Sequence, residues 1–330
     1  MTLSSPAARH LSRTIQAHPL GVGCRSTGIG GLRQDRETLG ALRAAVEAGA
    51  TLFVTADTYG QGHAERILGQ LIEEHRGAGL QIVTKIQNVG TAPHPYASPH
   101  VRHQLEQTLD NLRDDHVALY VLPSLDFGPD DRYLHEAAEA LTAFRRMGVI
   151  GAIGLRGPHP SRTTGADQTQ RFAKVFEVVQ PDVVLTRFNP LQPLVIVQGE
   201  DLFTFTRRRK VGVLLCAPLA RGTLADTRGR ISPMPDLPAS AWAALRRGLR
   251  PLREHVSHLP GGEAAIALRH CIEQSPNTVV VAGFGNRRHI VQNFTNLYAF
   301  DESDIELADS VYAPVRAELH HHTLDLAKIQ

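Results

Sequence analysis

Short apolar runs alternate with amphipathic stretches along most of this chain. Leu20–Cys24, Leu52–Ala56, Gln81–Lys85, Val117–Leu122, Val149–Leu155, Asp182–Thr186, Val211–Cys216 and Thr278–Ala282 are short, apolar and rich in β-branched residues, and read as strands. They are apolar nearly throughout, as expected of parallel strands covered on both faces. Helical periodicity fills the intervals: Arg36–Ala48, His63–His75, Ser98–Leu112, Tyr133–Met147, Thr169–Val179, a helix ended by Arg207–Lys210, Ala239–His255, Glu263–Glu273 and Arg287–Leu297. Ser98 reads as an N-cap with Pro99 in the first turn, and Gly49 and Gly148 as stops. Eight strands, nearly all followed by a helix, predict an α/β fold: a closed (β/α)8 TIM barrel, one domain over residues 1–330. An open doubly wound sheet fits less well. No GxGxxG opens a strand-to-helix turn, and Gly21-Val22-Gly23 lacks the third glycine and the helix.

Composition removes several function classes. The formal net charge is +2, and the single Arg/Lys run, Arg207–Lys210, ends a surface helix, so nucleic acid is not an expected partner. No apolar run is long enough to span a bilayer and no signal-peptide pattern opens the chain. Cys24, Cys216 and Cys271 lack metal-site spacing and their odd number leaves one unpaired; they read as reduced thiols of a cytoplasmic protein, Cys216 as a small buried hydrophobe. His94, His100 and His103, and the run His320-His321-His322, read as surface histidines, so no metal is expected. The expected partner is a small-molecule substrate; the oligomeric state stays open.

In a (β/α)8 barrel the site lies at the carboxyl ends of the strands. There the chain carries Tyr59, on the Asp-Thr-Tyr-Gly-Gln-Gly loop after the second strand, and Lys85, at the end of the third. An ammonium beside a phenol favours the phenolate, so the two form a candidate acid–base pair. Arg156 and Arg187 directly follow the fifth and sixth strands and are candidates to hold an anionic substrate group, Arg187 on condition that it faces the barrel.

At this level of detail the chain resembles the aldo-keto reductase family. The matching segments are GVG at Gly21–Gly23, TAxxYGxGxxExxLG at Thr55–Gly69, Thr84-Lys85, GVIGAIG at Gly148–Gly154, FNPL at Phe188–Leu191, APLARGTL at Ala217–Leu224 and GFGNRRHIVQNF at Gly283–Phe294. The resemblance implies hydride transfer between NADPH and a carbonyl, with Tyr59 as acid and Lys85 as its partner. It also implies cofactor contacts from the loop after strand seven (Pro218, Leu219, Arg221, Gly222) and from the last strand-to-helix turn (Arg287, Arg288, Asn293). Departures are equally specific. The family's aspartate falls on Val54 and its histidine on Pro123. The Ser-Asn that holds the nicotinamide carboxamide falls on Arg156-Gly157, its glutamine on Leu185, and the aromatic that stacks on the nicotinamide on Cys216.

These losses shift the expectation. A lysine without its carboxylate has lost its counter-ion, and a ring without its clamp loses the positioning that hydride transfer needs. The sequence therefore favours redox-neutral acid–base chemistry by Tyr59 and Lys85 on a small carbonyl, imine or hydroxyl substrate (a dehydratase, isomerase, lyase or cyclase), with NADP(H) doubtful. The alternatives are an NADPH-dependent aldo-keto reductase with an atypical site, and a non-catalytic binding protein.

Overall fold

The computed structural model describes residues 7–25, 27, 31–88, 90–158, 165–225 and 239–321. Eight parallel strands close a barrel in chain order: β1 (Leu20–Gly23), β2 (Leu52–Val54), β3 (Gln81–Lys85), β4 (Val117–Leu122), β5 (Ile150–Arg156), β6 (Val183–Arg187), β7 (Gly212–Cys216) and β8 (Thr278–Gly283), with β8 pairing back onto β1. Helices α1 (Gly31–Glu47), α2 (His63–Glu74), α3 (Ser98–Leu112), α4 (Leu134–Arg146), α5 (Gly165–Val179), α6 (Leu202–Arg208), α7 (Ala239–Gly248), α8 (Arg250–His255), α9 (Gly262–Ile272), α10 (Arg287–Thr295) and α11 (Glu302–His321) follow.

The uninterrupted apolar strands are explained by burial on both faces. Leu52, Val54, Val83, Val121, Leu214 and Val279 pack inside the barrel. Their neighbours Phe53, Ile82, Leu122, Val213 and Val280 pack outward under the helices. Period-two alternation thus persists without a polar face.

The amino-terminal stretch, which carries no strand signal, forms a small hairpin pairing Arg9–His10 with Gln16–Ala17. It drives Leu11, Ile15 and Ala17 into the barrel interior and closes its floor. Gly212 opens β7 against this plug, and a Cβ there would fall onto the Leu11 carbonyl oxygen, so the position accepts no side chain.

Other boundaries differ from the sequence reading for local reasons. Ser98 is the first residue of α3 rather than its cap: Ala97 holds the cap position, without a side-chain bond. The single helix expected over Ala239–His255 breaks at Leu249, and α8 begins at Arg250 with Pro251 in its first turn. Helix α11, with Pro314 inside it, has no counterpart in the expectation. Together with α7, α8 and α9 it covers a second apolar cluster containing Leu191, Leu224, Leu245, Ile266 and Tyr312.

Candidate active site

The carboxyl-end layer of the barrel is set by the phase of each strand. On β3, Thr84 points outward to the helices, where its hydroxyl donates to Glu65 at 2.9 Å. The fully buried Glu65 also accepts from Thr108 at 3.1 Å and Asn111 at 3.1 Å. Burial pushes the Glu65 carboxyl up, and these three donors oppose it. This satisfied network ties α2 and α3 to β3. With Thr84 fixed outward, Lys85 must point into the barrel, where it is 7% exposed.

Lys85 and Tyr59 do meet. The ammonium lies 4.7 Å from the centre of the Tyr59 ring, over its face. It also donates to the Thr55 carbonyl oxygen at 2.5 Å. Among the described residues no carboxylate reaches it within ion-pair distance: Val54, the position of the family's aspartate, is a buried apolar side chain of the barrel interior. Asp57 does not replace it. Its carboxylate accepts from the Gln87 amide at 3.0 and 2.9 Å and from the Asn88 amide at 2.9 Å, which clamps the Tyr59 loop to the loop after β3. Burial raises the Asp57 carboxyl, and the Asn88, Gln87 and Thr58 bonds and the Lys85 charge draw it back.

Arg187 is in phase with Val183 and Leu185, both of the interior cluster, so the condition attached to it is met. Arg156 is in phase with the interior residue Ala152 and pairs in register with Leu185 on β6. Its guanidinium donates to the Pro123 carbonyl oxygen at 3.4 Å, beside the end of β4. Burial lowers the Arg156 guanidinium from its usual value. Arg187 is pushed down to about 10, first by burial and then by the nearby positive charge of Arg156, with Arg25 adding to it; Cys216 and Tyr59 act in the opposite sense.

The thiols at this end are not activated. Burial pushes Cys24 up to about 12, and Lys85 and Thr27 only partly offset it. Cys216 is raised by burial too, with Lys85 and Arg187 opposing. A thiol held protonated is a poor nucleophile; Cys216, expected to be buried, is only partly so and packs against the interior cluster.

The proposed cofactor residues divide into two places. Pro218, Leu219, Arg221 and Gly222 lie on a tight turn after β7, where Ala217, Ala220 and Arg221 adopt left-handed conformations unusual for residues with side chains. The amides of Ala220, Gly222, Thr223 and Leu224 donate within that turn. Arg287 and Arg288 open α10, capped by the Asn286 side chain accepting from the His289 amide at 3.0 Å, and Asn293 is buried on the same helix. Arg287 points toward α1, 3.9 Å from Glu47. With Asn286, Phe284, Gly285, Arg33 and Thr38 it lines a cavity of about 810 Å³ between α1 and α10.

Several contributors lacked any sequence signal. The Thr55 carbonyl is a backbone group whose role follows from the Lys85 rotamer alone. Tyr96, fully buried, donates to the Ser124 carbonyl at 3.2 Å and accepts from the Ser124 amide at 2.8 Å, which fixes the loop after β4. Among the described residues no group of three His, Cys, Asp or Glu side chains is placed to hold a metal. His94 stacks on Tyr133 and His100 bonds the Asn88 carbonyl oxygen; the side chains of His320, His321 and His322, and that of Trp242, lie outside the described residues, as do residues 226–238 of the loop after β7.

A parallel barrel of eight strands with a tyrosine and a lysine meeting at its carboxyl end is the architecture of a barrel enzyme. The profile of the Aldo/keto reductase family matches residues 19–313, and the chain belongs to that family. It is 25% identical over 228 residues to Aldo-keto reductase YhdN of Bacillus subtilis (64% of this chain, 61% of that protein). It is 24% identical over 213 residues to "Uncharacterized oxidoreductase YqkF" of the same organism (63% and 62%). These matches thus span less than two thirds of the relatives' own length. Among solved structures, the glycerol dehydrogenase AKR11B4 of Gluconobacter oxydans superposes with a TM-score of 0.75 at 18% identity, over 94% of this chain and 96% of that one. An aldo/keto reductase of Klebsiella pneumoniae, solved with NADP and acetate, gives 0.67 at 19% identity, over 92% and 95%. Both are likenesses of fold. The expectation of redox-neutral chemistry finds no support in these relatives, whose names are those of oxidoreductases.

Proposed function

We propose that this chain is an NADP(H)-linked oxidoreductase of the cytoplasm that interconverts a small carbonyl compound and its alcohol. One observation carries the reading: the Lys85 ammonium sits over the Tyr59 ring at the barrel mouth of a fold whose relatives are oxidoreductases. The cavity between α1 and α10 supports it, because Arg33, Arg287 and Asn286 offer donors beside the apolar face of Phe284, a lining suited to a phosphorylated nucleoside. The candidates to hold the cofactor are therefore Arg287, Arg288 and Asn293 with the Pro218–Gly222 turn, and NADPH when bound supplies the hydride that adds to the carbonyl carbon. Tyr59 gives its hydroxyl proton to the carbonyl oxygen as negative charge grows there. Lys85 stabilises the charge left on the phenol oxygen through the ring face and is itself oriented by the Thr55 carbonyl. Asp57 holds the Tyr59 loop in place. Three free cysteines fit a reducing compartment, and among the described residues no helix is long and apolar enough to cross a membrane.

A second reading keeps the same two residues and dispenses with the cofactor. It is favoured by Val54, which leaves the Lys85 ammonium without a carboxylate partner among the described residues. Titration of the protein with NADPH, followed by cofactor fluorescence, separates the two. Saturable binding together with oxidation of NADPH by a small aldehyde is the expected result. No binding up to millimolar NADPH would transfer the assignment to the redox-neutral reading.

A further inference from the structure

We infer that His63 and Asp35 are positioning residues for Tyr59: their contact braces, from α1, the turn that carries the general acid over Lys85. The inference rests on the proposed reductase reading and adds two residues to its machinery. Between Tyr59 and His63 the backbone runs through three consecutive left-handed residues, Gly60 (φ 57°), Gln61 (φ 53°) and Gly62 (φ 77°). Gln61 has a Cβ and resists that conformation, so the turn keeps its shape only where its surroundings impose it. Gly62 accepts no side chain either, because a Cβ there would lie 2.7 Å from the Asn111 side-chain nitrogen.

The turn is anchored on two sides. At its entry, Asp57 accepts from the Gln87 and Asn88 amides of the loop after β3. Just past its exit, Glu65 accepts from Thr108 and Asn111 of α3. Toward α1 the polar contact is that of His63, the first residue of α2, whose Nε2 lies 2.8 Å from an Asp35 carboxylate oxygen. The other α1–α2 ion pair, Arg43 with Glu74, is at the far end of α2. Helix α2 starts without a side-chain cap, so the Asp35 bond holds its first residue from that side. Backbone bonds carry the constraint back to Tyr59. The Ala64 amide donates to the Tyr59 carbonyl oxygen at 3.2 Å, and the His63 amide to the Gly60 carbonyl oxygen at 3.1 Å. A shift of the first turn of α2 therefore moves the Tyr59 ring against Lys85, which the Thr55 carbonyl holds in place. Asp35 gives one oxygen to His63, and its other oxygen is buried without a hydrogen-bond partner among the described residues. That orphaned oxygen and the left-handed Gln61 both cost stability, and both lie at the turn that aims the acid.

The test reads the position of the ring first and turnover second. NMR of protein carrying isotope-labelled lysine should show the Lys85 ε-methylene protons upfield of those of Lys174, Lys210 and Lys328, shifted by the Tyr59 ring 4.7 Å from the ammonium. Lys85→Arg assigns the signal by removing it. Asp35→Ala and His63→Ala should each move that signal toward the others. Each should also lower kcat for NADPH-linked reduction of propanal by about 10- to 100-fold, as expected of a misplaced reacting group, with KM unchanged. The double variant should be no worse than either single one, because the two side chains act as a unit. His63→Gln, which keeps a donor for Asp35, should recover part of both losses. A pair that only stabilises the fold would lower the melting temperature and leave the Lys85 signal in place, and an unmoved signal would overturn the inference whatever the turnover. A signal that moves in both alanine variants, in a protein that oxidises no NADPH, would keep the positioning role and reject the reductase reading.

Discussion

The two ends of the barrel obey opposite rules. At the floor, Leu11, Ile15 and Ala17 of the terminal hairpin meet Val183, Leu214 and Val279 in a dry apolar plug, and Gly212 is a glycine because the Leu11 carbonyl occupies the place of a side chain. At the mouth, the strands end in Lys85, Arg156 and Arg187, and the chain leaves them through turns holding left-handed Ala217, Ala220 and Arg221. The floor maximises packing, which only close complementarity achieves. The mouth gathers ionisable side chains with shifted titration, the pattern that clusters at functional sites. The difference locates the chemistry at the mouth independently of any motif.

The comparison breaks most visibly at Tyr59. Removing one hydroxyl in Tyr59→Phe should lower turnover of a carbonyl substrate by about 10²- to 10⁴-fold, the usual contribution of a positioned general acid. NADPH affinity and the melting temperature should stay near those of wild type, since the half-exposed ring and its contact with Lys85 remain. Retention of full turnover would remove Tyr59 from the site. Gly212→Ala is the mirror image. The added methyl should destabilise the fold by about 1–3 kcal/mol through overpacking against Leu11, seen as a lower urea midpoint, with kcat of the folded protein unchanged.

How far each end was legible in the sequence follows from the same contrast. The eight strands announced themselves because burial on both faces leaves only apolar residues, and β3 and β4 match the sequence reading residue for residue. Tyr59 and Lys85 were found because they sit at strand ends, and phase fixes where such residues point. The floor hairpin was missed: Arg9–His10 and Gln16–Ala17 are strands of two residues each, with polar members and no periodicity to detect. Helix α11 was missed because Pro314 and a weak apolar stripe obscure it, although tertiary packing on α7 and α9 holds it. The role of Asp57 is not legible in the sequence, where it is one residue of a turn-forming loop; the positions of the Gln87 and Asn88 amides make it a clamp.

Val54 sharpens the picture of the mouth. In Val54→Asp the new carboxylate would project into the barrel from β2, in register with Val83 and on the same side as Lys85. Under the reductase reading, NADPH-linked turnover should rise by about tenfold, as Lys85 gains an ion-pair partner that orients it. A rise confined to a cofactor-free reaction, or a fall in NADPH-linked turnover with folding intact, would favour the redox-neutral reading. Burial of the carboxylate carries a stability cost of about 1–3 kcal/mol, reduced by pairing, and the melting temperature records it.

The smallest effect lies at the outer edge of the mouth, where Asp131 after β4 receives Arg171 and Lys174 of α5. These partners, Arg171 first, hold its carboxyl down at about 2 against an ordinary 3.8. A carboxyl depressed in the folded state contributes stability that is present above 3.8 and lost as pH falls through about 2. Because the Lys174 side chain is largely exposed, solvent screening limits the contribution to about 0.5–1 kcal/mol. Asp131→Asn should therefore lower the urea midpoint slightly at pH 6. The gap from wild type should narrow between pH 4 and pH 2, because protonation then removes the same charge from both proteins. A gap that stays constant over that interval would mean that Asp131 is not held by these two cations in solution. The loop after β4 would then take its position from the Tyr96–Ser124 pair and from the Arg171 bond to the Leu125 carbonyl oxygen.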